Sequence, residues 1–388
     1  MINYIQEVNK NVNIQEGEQA IENILLNIYF KEGISNKELS RNNLLPIPVI
    51  VAIKKEFIKY GLLVQDSGVR LTKEGLSFIE NRLGFRGIRK DLYMKLLKET
   101  WEEEQEIIEV KRTLSEVFIN RPLADVTIDQ SKCTLDTAVK RAVLCLQNYA
   151  LVGKNILCIG DDDLVSIALG FLLKKLFADI EYCNTTISVM DIDNRVLTYI
   201  KDIAEKEGLP IKCVYSDFRT PLSKDFTGQF DCFFTDPPYT LDGMNLFLSR
   251  GIEALKKQNG LPIFLSYAHK SPDFEFAMQK CFVDMGLIVS KVMTRFNTYE
   301  GAEIIGNTGQ MIVLKTTSKS KTLMESFYQG LLYTGELKKT VRLYKCKSCG
   351  QTIKVGLSEK IKTIEELKSK GCSKCSNQTF NLIDKNKV

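Results

Sequence analysis

Five short apolar runs alternate with segments of helical length: "NILCIG" at 155–160, "ISVMDID" at 187–193, "KCVYSD" at 212–217, "FDCFFTDPPY" at 230–239 and "LPIFLSYA" at 261–268. Apolar throughout rather than at every second residue, they read as strands covered by helices on both faces. The pattern predicts an α/β fold built on a doubly wound, mostly parallel sheet. Ligands of such sheets sit beyond the carboxyl ends of the strands. The first four runs each end in a carboxylate, so these are expected to converge on one crevice.

The turn after the first run sharpens this expectation. Nucleotide-binding folds place glycines there so that backbone can approach a phosphate. Here Gly160 is followed by Asp161, Asp162 and Asp163. Three carboxylates repel phosphates and carboxylates and attract ammoniums. At an effective dielectric near 20, opposite charges in contact gain about 4 kcal/mol before desolvation is subtracted.

With 388 residues the chain has room for two or three domains. The expected division is 1–85, a winged-helix-like domain; 86–130, a helical linker and lead-in loop; 131–320, the Rossmann-like domain; and 321–388, a C-terminal extension. In the first part, "QAIENILLNIYFKEG" reads as a helix and Ser35 with Glu38 has capping-box spacing. Pro48 and Gly61 bracket a third helix, and a wing is expected around Asp66, Ser67 and Gly68. The third helix offers Lys54, Lys55 and Lys59 to DNA but has an apolar opposite face. A dimerisation or lid module is the favoured reading. The acidic run at 102–104 reads as a solvated helix face.

The net charge of +5 is mild for this length and does not imply nucleic acid. No apolar run is long enough to span a bilayer, and the N-terminus lacks the regions of a secretory signal. A cytoplasmic protein, homodimeric and without a nucleic-acid partner, is expected.

Asp191 is placed to accept from both ribose hydroxyls of a nucleoside, with Asp193 beside it, and Asp217 to accept from an adenine amine. The order of these acids resembles the S-adenosylmethionine-dependent methyltransferase fold. In "TDPPY", Pro237 and Pro238 stiffen the backbone and hold Asp236 and Tyr239 in place. In methyltransferases of adenine or amide amines, such a motif positions an amine nucleophile.

Together, "IGDDD" and "DPPYTLDGMNLFLSRGIEAL" resemble the branched-chain polyamine synthases, the N(4)-bis(aminopropyl)spermidine synthase family of aminopropyltransferases. The resemblance covers roughly 17–316. It implies transfer of aminopropyl from decarboxylated S-adenosylmethionine to the internal secondary amine of spermidine, giving methylthioadenosine. By position it makes Asp161 the residue that orients the accepting amine. Asp162 and Asp163 would bind ammoniums, and Asp236 and Tyr239 would line the acceptor side. Asp129 and Gln130 of "IDQ" resemble the family's segment before the catalytic domain and would help close the site. The reacting nitrogen must first shed a proton, which Asp161 would accept or steer. The unreactive ends of the polyamine are expected against Asp162 and Asp163, with the central nitrogen at an aromatic wall near Tyr239. The runner-up is an S-adenosylmethionine-dependent DNA or RNA amine methyltransferase. A non-catalytic nucleic-acid-binding regulator ranks third, because it leaves the acidic crevice without a purpose.

His269 ends the fifth run, where a solvated loop histidine is as good a reading as a site residue, and Glu303 is a weak candidate for substrate contact. Of the eleven cysteines, seven are scattered and read as small hydrophobes. Cys346, Cys349, Cys372 and Cys375 form two CxxC pairs, and Gly350 permits a tight turn. Their spacing predicts a structural zinc ribbon with no open ligand position. The basic residues Lys338, Lys339, Arg342, Lys345 and Lys347 surround it, a feature that nucleic acid would also suit.

Overall fold

The computed structural model describes residues 3–66, 68–302, 305–333, 336, 340–356 and 359–387. Ser67, Glu303, Lys338 and Lys339 lie outside the described residues. The chain opens with five helices, α1 (Tyr4–Val12), α2 (Glu18–Phe30), α3 (Asn36–Asn43), α4 (Ile47–Lys59) and α5 (Lys73–Asn81). A two-stranded antiparallel hairpin, β1 (Leu63–Gln65) and β2 (Val69–Leu71), lies between the last two. This is the element order of a winged helix. Ser35 caps α3 by accepting from the Glu38 amide at 3.1 Å, and Pro48 occupies the first turn of α4. Lys54 is buried and donates to Asn36 Oδ1 at 2.8 Å and Gln65 Oε1 at 3.1 Å. The helix that would enter a groove therefore has one of its three lysines turned inward.

After α6 (Lys90–Leu96) and α7 (Gln105–Ile119) the α/β part begins. Its elements are β3 (Lys132–Cys133), α8 (Leu135–Gln147), β4 (Asn155–Ile159), α9 (Val165–Leu176), β5 (Thr186–Asp191), α10 (Asn194–Glu207) and β6 (Ile211–Tyr215), then β7 (Cys232–Thr235), α11 (Leu241–Ala254), β8 (Pro262–Ala268), α12 (Pro272–Asp284), β9 (Ile288–Glu300) and β10 (Thr308–Lys315). The eight strands lie in the order β3-β9-β10-β8-β7-β4-β5-β6. Strands β6, β5, β4, β7 and β8 are mutually parallel, and β10 runs antiparallel between β8 and β9. This is the methyltransferase-like arrangement, mixed and mostly parallel.

Each parallel strand feeds two cores. Ile156 and Cys158 of β4, Ile187 and Val189 of β5, and Cys232 and Phe234 of β7 point to one face. Leu157, Ile159, Met190 and Phe233 point to the other. The uninterrupted apolar runs are thus explained by burial on both sides. The first core continues without a break into the apolar interior of the N-terminal helices.

Those helices dock on the amino ends of the strands. Gln19 Nε2 donates to the Tyr149 carbonyl at 3.1 Å, Lys154 pairs with Glu22 at 2.6 Å, and Gln258 Nε2 donates to Glu18 at 2.9 Å. Residues 149 and 154 lead into β4, and 258 leads into β8. Gly153, at φ 68°, passes so close to Leu83 that a Cβ would stand 2.0 Å from its carbonyl oxygen. The expectation of a lid is corrected here: the ligand end of a parallel sheet is the carboxyl end, and the N-terminal helices sit at the opposite one.

The C-terminal part holds a three-stranded antiparallel sheet, β11 (Thr340–Cys346), β12 (Thr352–Val355) and β13 (Phe380–Lys387), in the order β12-β11-β13, with a short helix over Ile364–Lys370. Among the described residues no helix is long and apolar enough to cross a membrane.

Candidate active site

The sheet order reverses between β4 and β7, which makes the gap beyond their carboxyl ends the topological switch point. The acidic turn follows β4 and Asp236 follows β7. Gly160 takes φ 71°, the left-handed conformation this turn needs. The three consecutive aspartates then separate into different tasks.

Asp161 is buried, and its two oxygens accept from the amides of Val165 at 2.7 Å and Ser166 at 3.1 Å. It therefore closes the N-terminus of α9 as a side-chain cap, where the helix dipole favours a negative group. Asp163, also buried, accepts from the Cys133 amide at 2.6 Å and from Arg141 Nη1 at 2.6 Å. Asp162 is half-buried and accepts from the Ser131 amide at 3.0 Å. A small pocket at the switch point is lined by Arg141, Asp162, Asp163, Thr235, Asp236 and Ser266 among others, without Asp161.

Arg141 is the residue that sequence reasoning missed. It lies on α8, fully buried, and joins the two motifs: Nη1 reaches Asp163, and Nη2 reaches Asp236 Oδ2 at 3.1 Å. Nε donates to Asn297 Oδ1 at 3.0 Å, and Nη2 also donates to the Tyr299 hydroxyl at 3.2 Å. A signal was present. Arg141 falls three residues after Ala138 and four before Cys145, on the stripe that α8 buries. A cation on an apolar stripe requires a carboxylate partner, and the acidic turn is the obvious supplier.

Asp236 is held from several sides. Its Oδ2 accepts from the Tyr299 hydroxyl at 2.6 Å as well as from Arg141, and its Oδ1 accepts from the Tyr239 hydroxyl at 3.0 Å. Pro237 and Pro238 are buried beneath the turn. The structure thus brings together Asp162, Asp163, Asp236 and Tyr239, and adds Arg141, Tyr299, Asn297 and Ser266.

Asp191, also buried, accepts from the Asp161 amide at 2.9 Å and the Asp193 amide at 2.8 Å, which fastens the end of β5 to the acidic turn. Asp193 caps α10, pairs with Arg195 at 2.6 Å and accepts from Gln130 Nε2 at 3.0 Å. Gln130 in turn accepts from the Asp125 amide at 2.8 Å, so the lead-in loop is tied to the rim of the crevice. Asp129 takes the left-handed conformation in that loop, at φ 61°. Asp217 is engaged with Arg219 through Nε at 3.0 Å and Nη2 at 2.7 Å, and Arg219 reaches on to Glu336 at 2.9 Å. An adenine amine would have to share Asp217 with that arginine. His269 is exposed and accepts from the Arg295 amide at 3.4 Å, which matches the solvated-loop reading.

The charge of the crevice is unbalanced. Burial pushes the Asp161 carboxyl up to about 7, and pushes Asp236 up to about 6 against the opposing pull of Arg141. Burial, with the charges of Asp163, Asp191 and Asp236, drives Asp162 well above the usual carboxylate range. Asp191 is raised by burial too. At the rim, burial is outweighed at Asp193 by Arg195 and at Asp217 by Arg219, and both carboxyls lie below their usual value. The centre of the site thus favours neutral acids until a cation arrives.

The four C-terminal cysteines also come together. Cys346 and Cys375 have their sulfurs 3.6 Å apart, Cys349 and Cys372 have theirs 3.5 Å apart, and all four lie within 4.8 Å of one another. A tetrahedral ion about 2.3 Å from each sulfur sets sulfurs about 3.8 Å apart, so the cluster fits a four-thiolate metal such as zinc. The other seven cysteines are free, four of them buried. Lys362 of this region pairs with Asp125 of the lead-in loop at 3.7 Å.

Fold and site together define a methyltransferase-like α/β protein with an acidic crevice at its switch point. Residues 109–354 match the family model described as the branched-chain polyamine synthase A C-terminal domain, and the chain belongs to that family. An uncharacterized protein of Methanocaldococcus jannaschii is 36% identical over 99% of this chain and 93% of its own length. The N(4)-bis(aminopropyl)spermidine synthase of the same organism is 28% identical over 66% of this chain and 70% of its own length. The branched-chain polyamine synthase of Thermus thermophilus, crystallised with N4-aminopropylspermidine and 5'-methylthioadenosine, superposes with a TM-score of 0.51 at 21% identity, covering 86% of this chain and 97% of that one. The family match runs to Lys354, inside the four-cysteine region and past Thr316, where resemblance by motif stops.

Proposed function

We propose that the chain is an aminopropyltransferase that moves the aminopropyl group of decarboxylated S-adenosylmethionine to the internal secondary amine of spermidine, giving N(4)-aminopropylspermidine, then N(4)-bis(aminopropyl)spermidine, with methylthioadenosine as by-product. One observation carries this reading. Around the switch point, Asp161, Asp162, Asp163, Asp191 and Asp236 gather near a single buried cation, Arg141, whose guanidinium is engaged by Asp163, Asp236, Asn297 and Tyr299. A methionine carboxylate would keep these acids neutral or be repelled by those that ionise, whereas an aminopropyl ammonium and a polyamine draw them into their charged forms and pair with them. The same observation weighs against the amine methyltransferase reading.

The hydrogen bonds described above support a different distribution of roles from the one the sequence suggests. Asp161 acts as a positioning residue beneath α9, and Asp163 fixes Arg141. Asp162 and Asp236 are left to meet the ammoniums of donor and acceptor. Asp191 serves the ribose hydroxyls, with Gly160 allowing close approach. Asp236, oriented by Tyr239 and Tyr299 and raised to about 6, is a stronger base than an ordinary carboxylate. It takes a proton from the acceptor's secondary ammonium. The freed amine attacks the carbon beside the sulfonium, the new carbon–nitrogen bond forms as the carbon–sulfur bond breaks, and the positive charge passes from sulfur to the tertiary ammonium. Holding both substrates in line supplies much of the acceleration. Gln130 and Asp129 close the rim. The four cysteines hold a structural zinc, with no position left for substrate.

The test is incubation of the purified protein with spermidine and either S-adenosylmethionine or its decarboxylated form, with polyamine masses and methylthioadenosine read by mass spectrometry. Added aminopropyl mass with the decarboxylated donor alone is the expected result. No new polyamine with either donor would overturn the reading.

A further inference from the structure

The aromatic side chains beside the Asp236–Tyr239 turn enclose a cation. Lys270, two residues beyond β8, places its ammonium 5.6 Å from the Tyr239 ring centroid, 5.7 Å from that of Tyr267 and 5.0 Å from that of Phe274. The same ammonium donates to the Tyr239 carbonyl oxygen at 3.0 Å. Tyr239 and Tyr267 meet edge to face at 5.1 Å, and Tyr267 and Phe274 stack at 6.2 Å. Tyr267 is fully buried, with its hydroxyl donating to the Thr240 carbonyl at 2.9 Å, so the cage has a rigid wall. Three rings and a carbonyl around one ammonium are the arrangement that recognises alkylammonium ligands, because the ring faces are negative and the cation's alkyl stem is apolar.

The cage is joined to the crevice through one residue. The Tyr239 hydroxyl is bonded to Asp236, while the face of its ring and its carbonyl serve Lys270. A polyamine with its reacting nitrogen at Asp236 and its longer arm running along Tyr239 would reach the cage with the second ammonium of that arm. There it meets a lysine of the same charge, already enjoying the contacts that would have stabilised it.

Resting on the polyamine reading above, we propose that the Tyr239–Tyr267–Phe274 cage is a further alkylammonium subsite, filled by the chain's own Lys270, and that this lysine limits the length of acceptor the site takes. A triamine stops short of the cage. A tetraamine carries one ammonium more and is disfavoured until Lys270 is removed, after which the same rings and carbonyl accept its end.

The experiment is titration calorimetry of wild type and Lys270→Met with spermidine and with spermine, in the presence of methylthioadenosine. Lys270→Met is expected to tighten spermine at least tenfold and spermidine less than threefold. Phe274→Leu in the Lys270→Met background is expected to take most of the spermine gain away. Lys270 and Phe274 are both half-buried, and the melting temperature of each variant reports whether the fold is kept. Equal changes for the two ligands, no change for either, or a gain that survives Phe274→Leu would overturn the cage while leaving the polyamine reading intact. Wild-type protein that binds no spermidine would overturn both.

Discussion

The two ends of the central sheet are built from the same materials and balanced differently. At the amino ends, Lys154 pairs with Glu22 at 2.6 Å, both side chains largely buried, and Lys256 pairs with Asp231 at 2.7 Å. Each of these two carboxylates has its own cation, and Glu18 beside them accepts from the neutral Gln258 amide. At the carboxyl ends, Arg141 is shared between Asp163 and Asp236, while Asp161, Asp162 and Asp191 accept from backbone amides. Buried charge without a partner is costly, and a fold retains it where a ligand supplies the missing charge. The closed end holds the chain's own N-terminal helices, and the open end carries the unbalanced acids.

The comparison is exposed to four tests. The largest effect belongs to paired substitutions at the two ends. Breaking a buried ion pair costs about 3–5 kcal/mol, so Lys154→Met and Arg141→Met should each lower stability in urea melts by that order. Only Arg141→Met should also abolish polyamine binding, measured by calorimetry on the folded fraction. Loss of binding in Lys154→Met would erase the distinction between the ends.

Next comes Asp236→Asn, which keeps the shape of the turn and removes its base. Turnover of the folded enzyme should fall by about 100-fold or more, as general-base losses do, with a smaller loss of stability than Arg141→Met because Arg141 keeps Asp163. A modest change would move the proton acceptor to Asp162.

The third test is pH. Asp161 and Asp236 bind protons more tightly in the folded chain, at about 7 and about 6, than a carboxyl does unfolded. A raised folded-state value means that the native state carries the extra proton between the two values, so stability falls as pH rises through that window. The ligand-free melting temperature should therefore drop between pH 5 and pH 8. The depressed carboxyls Asp193 and Asp217 act in the other direction and at lower pH, where their stabilisation is lost on acidification. Spermidine should flatten the drop by favouring the charged forms. A flat ligand-free profile would mean that the open end is not strained by its charge.

The smallest effect is Ser35→Ala at the cap of α3, far from either charge cluster. It should cost about 1 kcal/mol with turnover unchanged, and so calibrates what a purely local contact is worth.

Much of this molecule was legible before folding. The apolar runs identified all five parallel strands, Ser35 announced its helix, and the two CxxC pairs announced their cluster. The site was legible by motif but not by role. Three adjacent aspartates look equivalent in sequence, yet one caps α9, one binds Arg141 and one is left half-exposed. Asp217 looked ready for an adenine amine because its arginine, two residues on, gave no sign of folding back.

By itself the sequence determined the strands, the turns and the sign of the charge at the crevice, because apolar periodicity, proline, glycine and clustered acids act over a few residues. Only the tertiary structure decided which carboxylates stay available. Arg141 meets Asp163, Asp236, Asn297 and Tyr299 across separations of 22, 95, 156 and 158 residues. The N-terminal helices reach the amino ends of β4 and β8 over comparable distances. Such contacts are chosen by burial and by the need to pair buried charge, and no local pattern encodes which partner wins.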